Sequence, residues 1–127
     1  MEVALDTNAL SAFADGNDAL GAVLMPFRRL ALPVTVLGEY RYGLLSSRKR
    51  VRLEEWLDEL LGEIRVLEAT PRTAAVYAQV RHQLRAAGTP IPENDVWIAA
   101  AAIEHRLPLV SRDQHFKAVK GLDVLAW

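Results

Sequence analysis

At 127 residues, with 51% hydrophobic and 24% charged side chains, the chain has room for one core, so a single domain over residues 1–127 is expected. A formal charge of −1, from 15 Lys plus Arg against 16 Asp plus Glu, excludes both a globally basic nucleic-acid coat and an acidic disordered tail. The absence of cysteine excludes disulfide scaffolds, thiolate metal sites and cysteine nucleophiles.

Met1–Asp6 lacks the basic flank and sustained apolar stretch of a signal peptide, and the longest apolar run, Val96–Ile103, is far shorter than a membrane span; a soluble, cytoplasmic protein without membrane contact is predicted. Val3-Ala4-Leu5 reads as a first strand, and the turn- and cap-prone Asp6-Thr7-Asn8 opens a helix to about Asp15. A second helix is expected over Asp18–Arg28. The β-branched, apolar stretch Leu30–Val36 predicts strand two, and Leu37–Leu45 a helix with Glu39 in its first turn. Leu53, Trp56, Leu57, Leu60 and Leu61 recur at i, i+3, i+4, i+7 and i+8, the apolar stripe of an amphipathic helix that Gly62 stops.

Ile64–Leu67 is expected as strand three. Pro71 suits the first turn of a long helix, where a missing N–H is harmless, and Gly88 ends that helix after Ala87. Beyond the loop Thr89–Glu93, Asn94-Asp95 precede an alanine-rich helix over Val96–Arg106 whose small side chains permit close approach to a sheet. Leu107–Val110 predicts strand four, Gln114–Lys120 a short helix and Val124–Trp127 strand five. Alternating apolar strands and helices indicate an α/β domain with a mainly parallel sheet covered on both sides, and such sheets bind ligands beyond the carboxyl ends of their strands.

Four carboxylates fall at such positions: Asp6 after strand one, Glu39 after strand two, Asp95 at a helix start and Asp113 after strand four. Brought together, they would repel and raise one another's pKa, a cost that a divalent cation offsets. An all-oxygen set suits Mg²⁺ or Mn²⁺, and a metal-acidified water beside a neutralised phosphate oxygen supplies phosphodiester hydrolysis without a histidine base. Plain structural roles compete at each position. Asp6 or Asn8 suits an N-cap, Glu39 and Asp95 suit a helix dipole, and Ser111-Arg112-Asp113-Gln114 spells a capping box. Those roles leave the recurrence of acids at successive strand ends unexplained.

Charge is uneven as well: residues 1–27 hold four acids and no base, whereas Arg28–Arg52 holds seven bases and only Glu39 as an acid. Arg48, Lys49 and Arg50 form a basic segment that reads either as a solvated loop or as a rim contacting phosphates. Tyr40 and Tyr42 suit base stacking or ordinary packing. His82, His105 and His115 lack the i, i+4 spacing of a helical zinc pair and read as surface or helix-end residues. No G-x-G-x-x-G, G-x-x-x-x-G-K-[ST] or G-x-S-x-G is present, which leaves dinucleotide, P-loop and nucleophile-elbow chemistry unsupported.

The segments Val3–Asn8, Val34–Glu39, Asn94–Ala100 and Leu109–Phe116 together resemble, in order and spacing, the successive motifs of PIN-domain ribonucleases, and most of all the VapC-type toxins of toxin–antitoxin pairs. The resemblance spans the chain from first strand to last. It implies a PIN-like three-layer α/β/α fold with a central five-stranded sheet. It also implies a Mg²⁺- or Mn²⁺-dependent endoribonuclease, acting on RNA as a homodimer and restrained by a small antitoxin. Asp6, Glu39, Asp95 and Asp113 match the family's four acids, Ser111 its Ser/Thr beside the last acid, and Thr7 and Asn8 the polar pair after the first. Asp6 and Asp95 are the expected direct metal ligands, with Glu39 and Asp113 completing the site through water or orienting the nucleophile. A non-catalytic RNA- or protein-binding module and a metal-dependent phosphohydrolase remain the competing readings.

Overall fold

In the computed structural model, which describes residues 1–127, each of the five strands pairs in parallel with its neighbours. The strands are β1 Glu2–Leu5, β2 Arg29–Pro33, β3 Arg65–Leu67, β4 Leu109–Val110 and β5 Val124–Leu125, in the spatial order β3-β2-β1-β4-β5. β1 is central, and its Val3, Ala4 and Leu5 are wholly buried, as a strand covered on both faces requires. Helices α1 Thr7–Ala14 and α2 Asp18–Leu24 link β1 to β2, and α3 Val34–Leu44 and α4 Arg50–Leu61 link β2 to β3. α5 Pro71–Ala86 and α6 Glu93–Glu104 carry the chain back across to β4. Right-handed crossovers place α1–α4 on one face and α5 and α6 on the other, giving three layers. No helix is long and apolar enough to cross a membrane.

Local chemistry accounts for most boundaries. Thr70 and Thr73 form a reciprocal capping box around Pro71 at the start of α5. At its other end Thr89 N–H donates to Leu84 O and Gly88 N–H to Arg85 O, with Gly88 at φ +71°, the paired bonds of a Schellman stop. In α6, Ile98 and Ala99–Ala102 are buried, so the alanines let this helix lie close to the sheet. In α4 only Leu57 of the apolar stripe is fully buried; Trp56 packs edge-on to Phe13 and Tyr40, with ring centroids 5.9 and 6.3 Å away.

Several boundaries differ from expectation. β2 ends at Pro33, which pairs with Leu67, the last residue of β3. Val34-Thr35-Val36 therefore has no strand to pair with and turns into α3 despite its β-branched side chains. Glu39 consequently lies in the second turn of α3, not the first. α2 stops at Leu24 because Pro26 cannot continue it. α6 begins at Glu93, ahead of Val96, and stops at Glu104: Leu107 N–H donates to Ala102 O and Arg106 N–H to Ile103 O, with Arg106 forced to φ +56°. That turn shortens β4 to two residues. The segment after Asp113 is a 3₁₀ turn, Gln114–Ala118, and β5 ends at Leu125, leaving Trp127 beneath the Arg112 guanidinium at 4.7 Å.

Candidate active site

The strand order reverses between β1 and β4, whose onward connections leave in opposite directions and open a crevice at their carboxyl ends. Asp6 and Ser111 are the residues immediately beyond these two strands. Asp6 is the N-cap of α1, its Oδ1 accepting the Ala9 N–H at 2.8 Å, while its Oδ2 accepts the Ser111 hydroxyl at 2.5 Å. One carboxylate thus fixes a helix start and ties β1 to β4. The capping role belongs to Asp6 alone, since Asn8 sits exposed within α1.

Ser111 also accepts the Asp113 N–H at 2.9 Å. It does not form the capping box with Gln114 that its sequence spells: Asp113 is the N-cap of the 3₁₀ turn and makes no side-chain cap bond. The Asp113 carboxylate is thereby left available to the crevice.

Glu39 reaches the same rim from α3. Its Oε1 accepts the Thr7 hydroxyl at 2.9 Å and its Oε2 accepts the Asn94 amide at 2.7 Å, so α1, α3 and α6 meet on this carboxylate. Asp95, in the first turn of α6, is half-buried, and its Oδ2 lies 2.6 Å from His115 Nε2. His115 Nδ1 lies 3.1 Å from Asp113 Oδ1.

Electrostatics bind these groups into one unit. Burial pushes the Asp6 carboxyl above its ordinary value, opposed by the Ser111 and Ala9 hydrogen bonds and reinforced by the charges of Asp95 and Asp113. Burial likewise raises Asp95, with His115 pulling it down and Asp113 and Glu39 pushing it up. No Lys or Arg pairs with any of the four acids; His115 is their one basic partner. A mutually repelling set of hard oxygen donors, buried at Asp6 and partly exposed at Glu39, Asp95 and Asp113, without a fixed Lys or Arg cation, fits a divalent metal ion. Asp95, Asp113 and His115 each offer a ligand atom within 4.8 Å of the others.

A groove of about 480 Å³ runs from Thr7 and Glu39 past Ser11, Asp15 and Ser47 to Arg48 and Lys49. Arg50 does not line it: it opens α4 and pairs with Glu54 at 2.9 Å. Tyr40 is packed in the core, whereas Tyr42 is exposed. His115 and Asn94 join the candidate site through their contacts with Asp95 and Glu39, which residue type alone does not reveal. The available signal for His115 was its position two residues after a strand-end aspartate, which a search for helical i, i+4 pairs passes over.

Residues 3–122 match the family model described as the PIN domain. Ribonuclease VapC5 of Mycobacterium tuberculosis is 31% identical over 119 residues, covering 92% of this chain and 87% of that protein. A VapBC2 structure from Rickettsia felis, bound to a DNA fragment from their promoter, superposes with a TM-score of 0.88 at 26% identity, covering 100% of this chain and 99% of the other. FitAcB from Neisseria gonorrhoeae is similar with a TM-score of 0.82 at 28% identity, covering 98% and 96%.

Proposed function

The chain belongs to the PIN-domain family, among its VapC-type members, and from that membership we propose that it is a divalent-metal-dependent endoribonuclease, the toxin of a toxin–antitoxin pair. The observation that carries the reading is the convergence of Asp6, Glu39, Asp95 and Asp113 at the β1/β4 crevice without a Lys or Arg to neutralise them.

Asp95 adds to the charge felt by Asp6 and itself feels Asp113 and Glu39, and with Asp6 it would hold Mg²⁺ or Mn²⁺, Asp113 completing the site. When bound, such an ion acidifies a water and withdraws charge from a phosphate oxygen. Asp6 is held for this task by Ser111 and the Ala9 amide, so its carboxylate needs little reorganisation. Glu39 is oriented from both sides by Thr7 and Asn94 and takes the proton of the attacking water. Arg48 and Lys49 supply positive charge along the groove, where an RNA backbone approaching four acids would otherwise be repelled.

The test offers purified protein RNA, DNA and a phosphomonoester in parallel, with Mn²⁺ or with EDTA. Cleavage of RNA alone, dependent on the metal, is expected. Turnover of the phosphomonoester would favour a phosphohydrolase, and RNA binding without cleavage a non-catalytic module.

A further inference from the structure

A second cavity, of about 290 Å³, adjoins the four acids on the α5–α6 side of the sheet. Leu84 of α5, Val96 of α6 and the half-buried Ile91 between them form its apolar floor, and Arg81, Arg85 and Glu93 stand around it. Val96 directly follows Asp95, so the cavity begins one backbone step, about 3.8 Å, from an acid of the crevice. The groove bearing Arg48 and Lys49 reaches the same acids from the other face, through Glu39.

Charge around this cavity is one-sided. From Ala69 to Pro92 the chain holds three arginines and no acid. Glu93, the next acid, is already engaged: its Oε1 accepts the Tyr77 hydroxyl at 2.6 Å and Arg81 Nη1 at 3.3 Å. Arg81 also donates to the Tyr77 oxygen at 2.6 Å, which holds its guanidinium at the mouth. Arg85 pairs with no carboxylate. An apolar floor, a held guanidinium and a free one match a nucleotide, whose base has apolar faces that stack on guanidinium planes and whose phosphate takes an arginine. The volume lies at the bottom of the range for small-molecule sites, so it admits one base-sized group and excludes a protein helix about 10 Å across.

We infer that this cavity seats one base of single-stranded RNA, next to the nucleotide lying over the four acids, with Arg85 on its phosphate. The strand is thereby held on both sides of the acids, by Arg85 on one and by Arg48 and Lys49 on the other. A paired base stays stacked in its helix, so the cavity selects unpaired RNA. The inference rests on the ribonuclease reading above, but its test needs no cleavage.

Metal-free protein is titrated with a short single-stranded RNA and with an abasic sugar–phosphate oligomer of the same length, and the Ile91 δ1 methyl is followed by nuclear magnetic resonance. The ring current of a seated base should shift that methyl with RNA, and the abasic oligomer should leave it in place. Arg85→Gln should lower the slope of log affinity against log salt by about 0.7, one phosphate contact, and Arg85→Lys should restore it. Ile91→Trp fills the cavity at unchanged charge and should reduce RNA affinity to that of the abasic oligomer. The wild-type shift requires no variant, and circular dichroism checks the folding of the variants. An Ile91 methyl that stays in place with RNA, moves equally with the abasic oligomer, or moves only with the product of a small adjacent gene overturns the inference. So does an Arg85→Gln variant that melts lower with an unaltered salt slope, which would mark Arg85 as a complement to the carboxyl end of α5 alone. A base seated at Ile91 in a protein that leaves RNA intact with Mn²⁺ would remove the nuclease reading and keep the subsite; metal-dependent cleavage with Ile91 unmoved would do the reverse.

Discussion

Asp6 illustrates how one residue serves both the fold and the site. Its carboxylate caps α1 and receives the Ser111 hydroxyl, yet its burial beside Asp95 and Asp113 makes the charged form costly. Because its folded pKa is raised, the native state binds a proton before the unfolded chain does as pH falls. The cost is therefore complete above the raised value, shrinks as pH falls through it, and vanishes below the ordinary 3.8. Asparagine caps a helix about as well as aspartate, and its amide can still meet Ser111. Metal-free Asp6→Asn is thus expected to melt above the wild type at neutral pH, with the gap closing toward acid, while metal-dependent RNA cleavage falls by about two orders of magnitude or more. Thermal melts in EDTA across pH check the first half. A variant that melts lower than wild type by the same margin at every pH would remove the repulsion argument.

Two elements carry predictions of their own. The turn that ends α6 uses Arg106 in the left-handed region, where a side chain is strained and glycine is the usual occupant, as at the end of α5. Arg106→Gly should stabilise the protein by about 1 kcal/mol in denaturant titration, and an unchanged midpoint would mean that Arg106 gains as much elsewhere. The α3–α4 connection bears the basic segment, which the structure divides: Arg48 and Lys49 line the groove and Arg50 turns to Glu54. Replacing Arg48 and Lys49 by Ser should reduce the slope of log affinity against log salt for single-stranded RNA by about 1.4, at about 0.7 per phosphate lost. Arg50→Ser should leave that slope nearly unchanged. Equal effects from all three positions would point to a diffuse basic surface instead of a directed rim.

At the scale of the molecule, the α1–α4 face is incompletely covered. Leu53, Trp56, Leu60 and Leu61 of α4 are only partly buried, and Tyr42, Leu45 and Val51 project from the α3–α4 region at 79%, 58% and 71% exposure. Such an apolar surface on a small domain is a place for another chain. The homodimer and the antitoxin proposed for this chain are both candidates for it, and an amphipathic helix suits a groove between helices. Sedimentation velocity at high micromolar concentration is expected to show a dimer, and the product of a small adjacent gene is expected to suppress RNA cleavage. A strict monomer would refute the first, and undiminished cleavage the second.

The sequence by itself determined the alternation of elements, the burial of Val3-Ala4-Leu5 and the four acids at strand and helix ends. Those features depend on residue type and short-range spacing, which the chain carries openly. The starts of α1 and α5 were equally legible, because a capping residue before the first and a first-turn proline in the second are signals confined to one turn. What only the tertiary structure decided depends on partners far apart in the chain. Val34-Thr35-Val36 became helical because β3 ends opposite Pro33, a fact recorded 30-odd residues away. Ser111 gave its hydroxyl to Asp6, 105 residues earlier, and left the local capping box unmade. Asn94 found Glu39 across 55 residues, and His115 found Asp95 across 20. An imidazole becomes part of an acidic site only when folding places carboxylates at both of its nitrogens, and no local spacing encodes that.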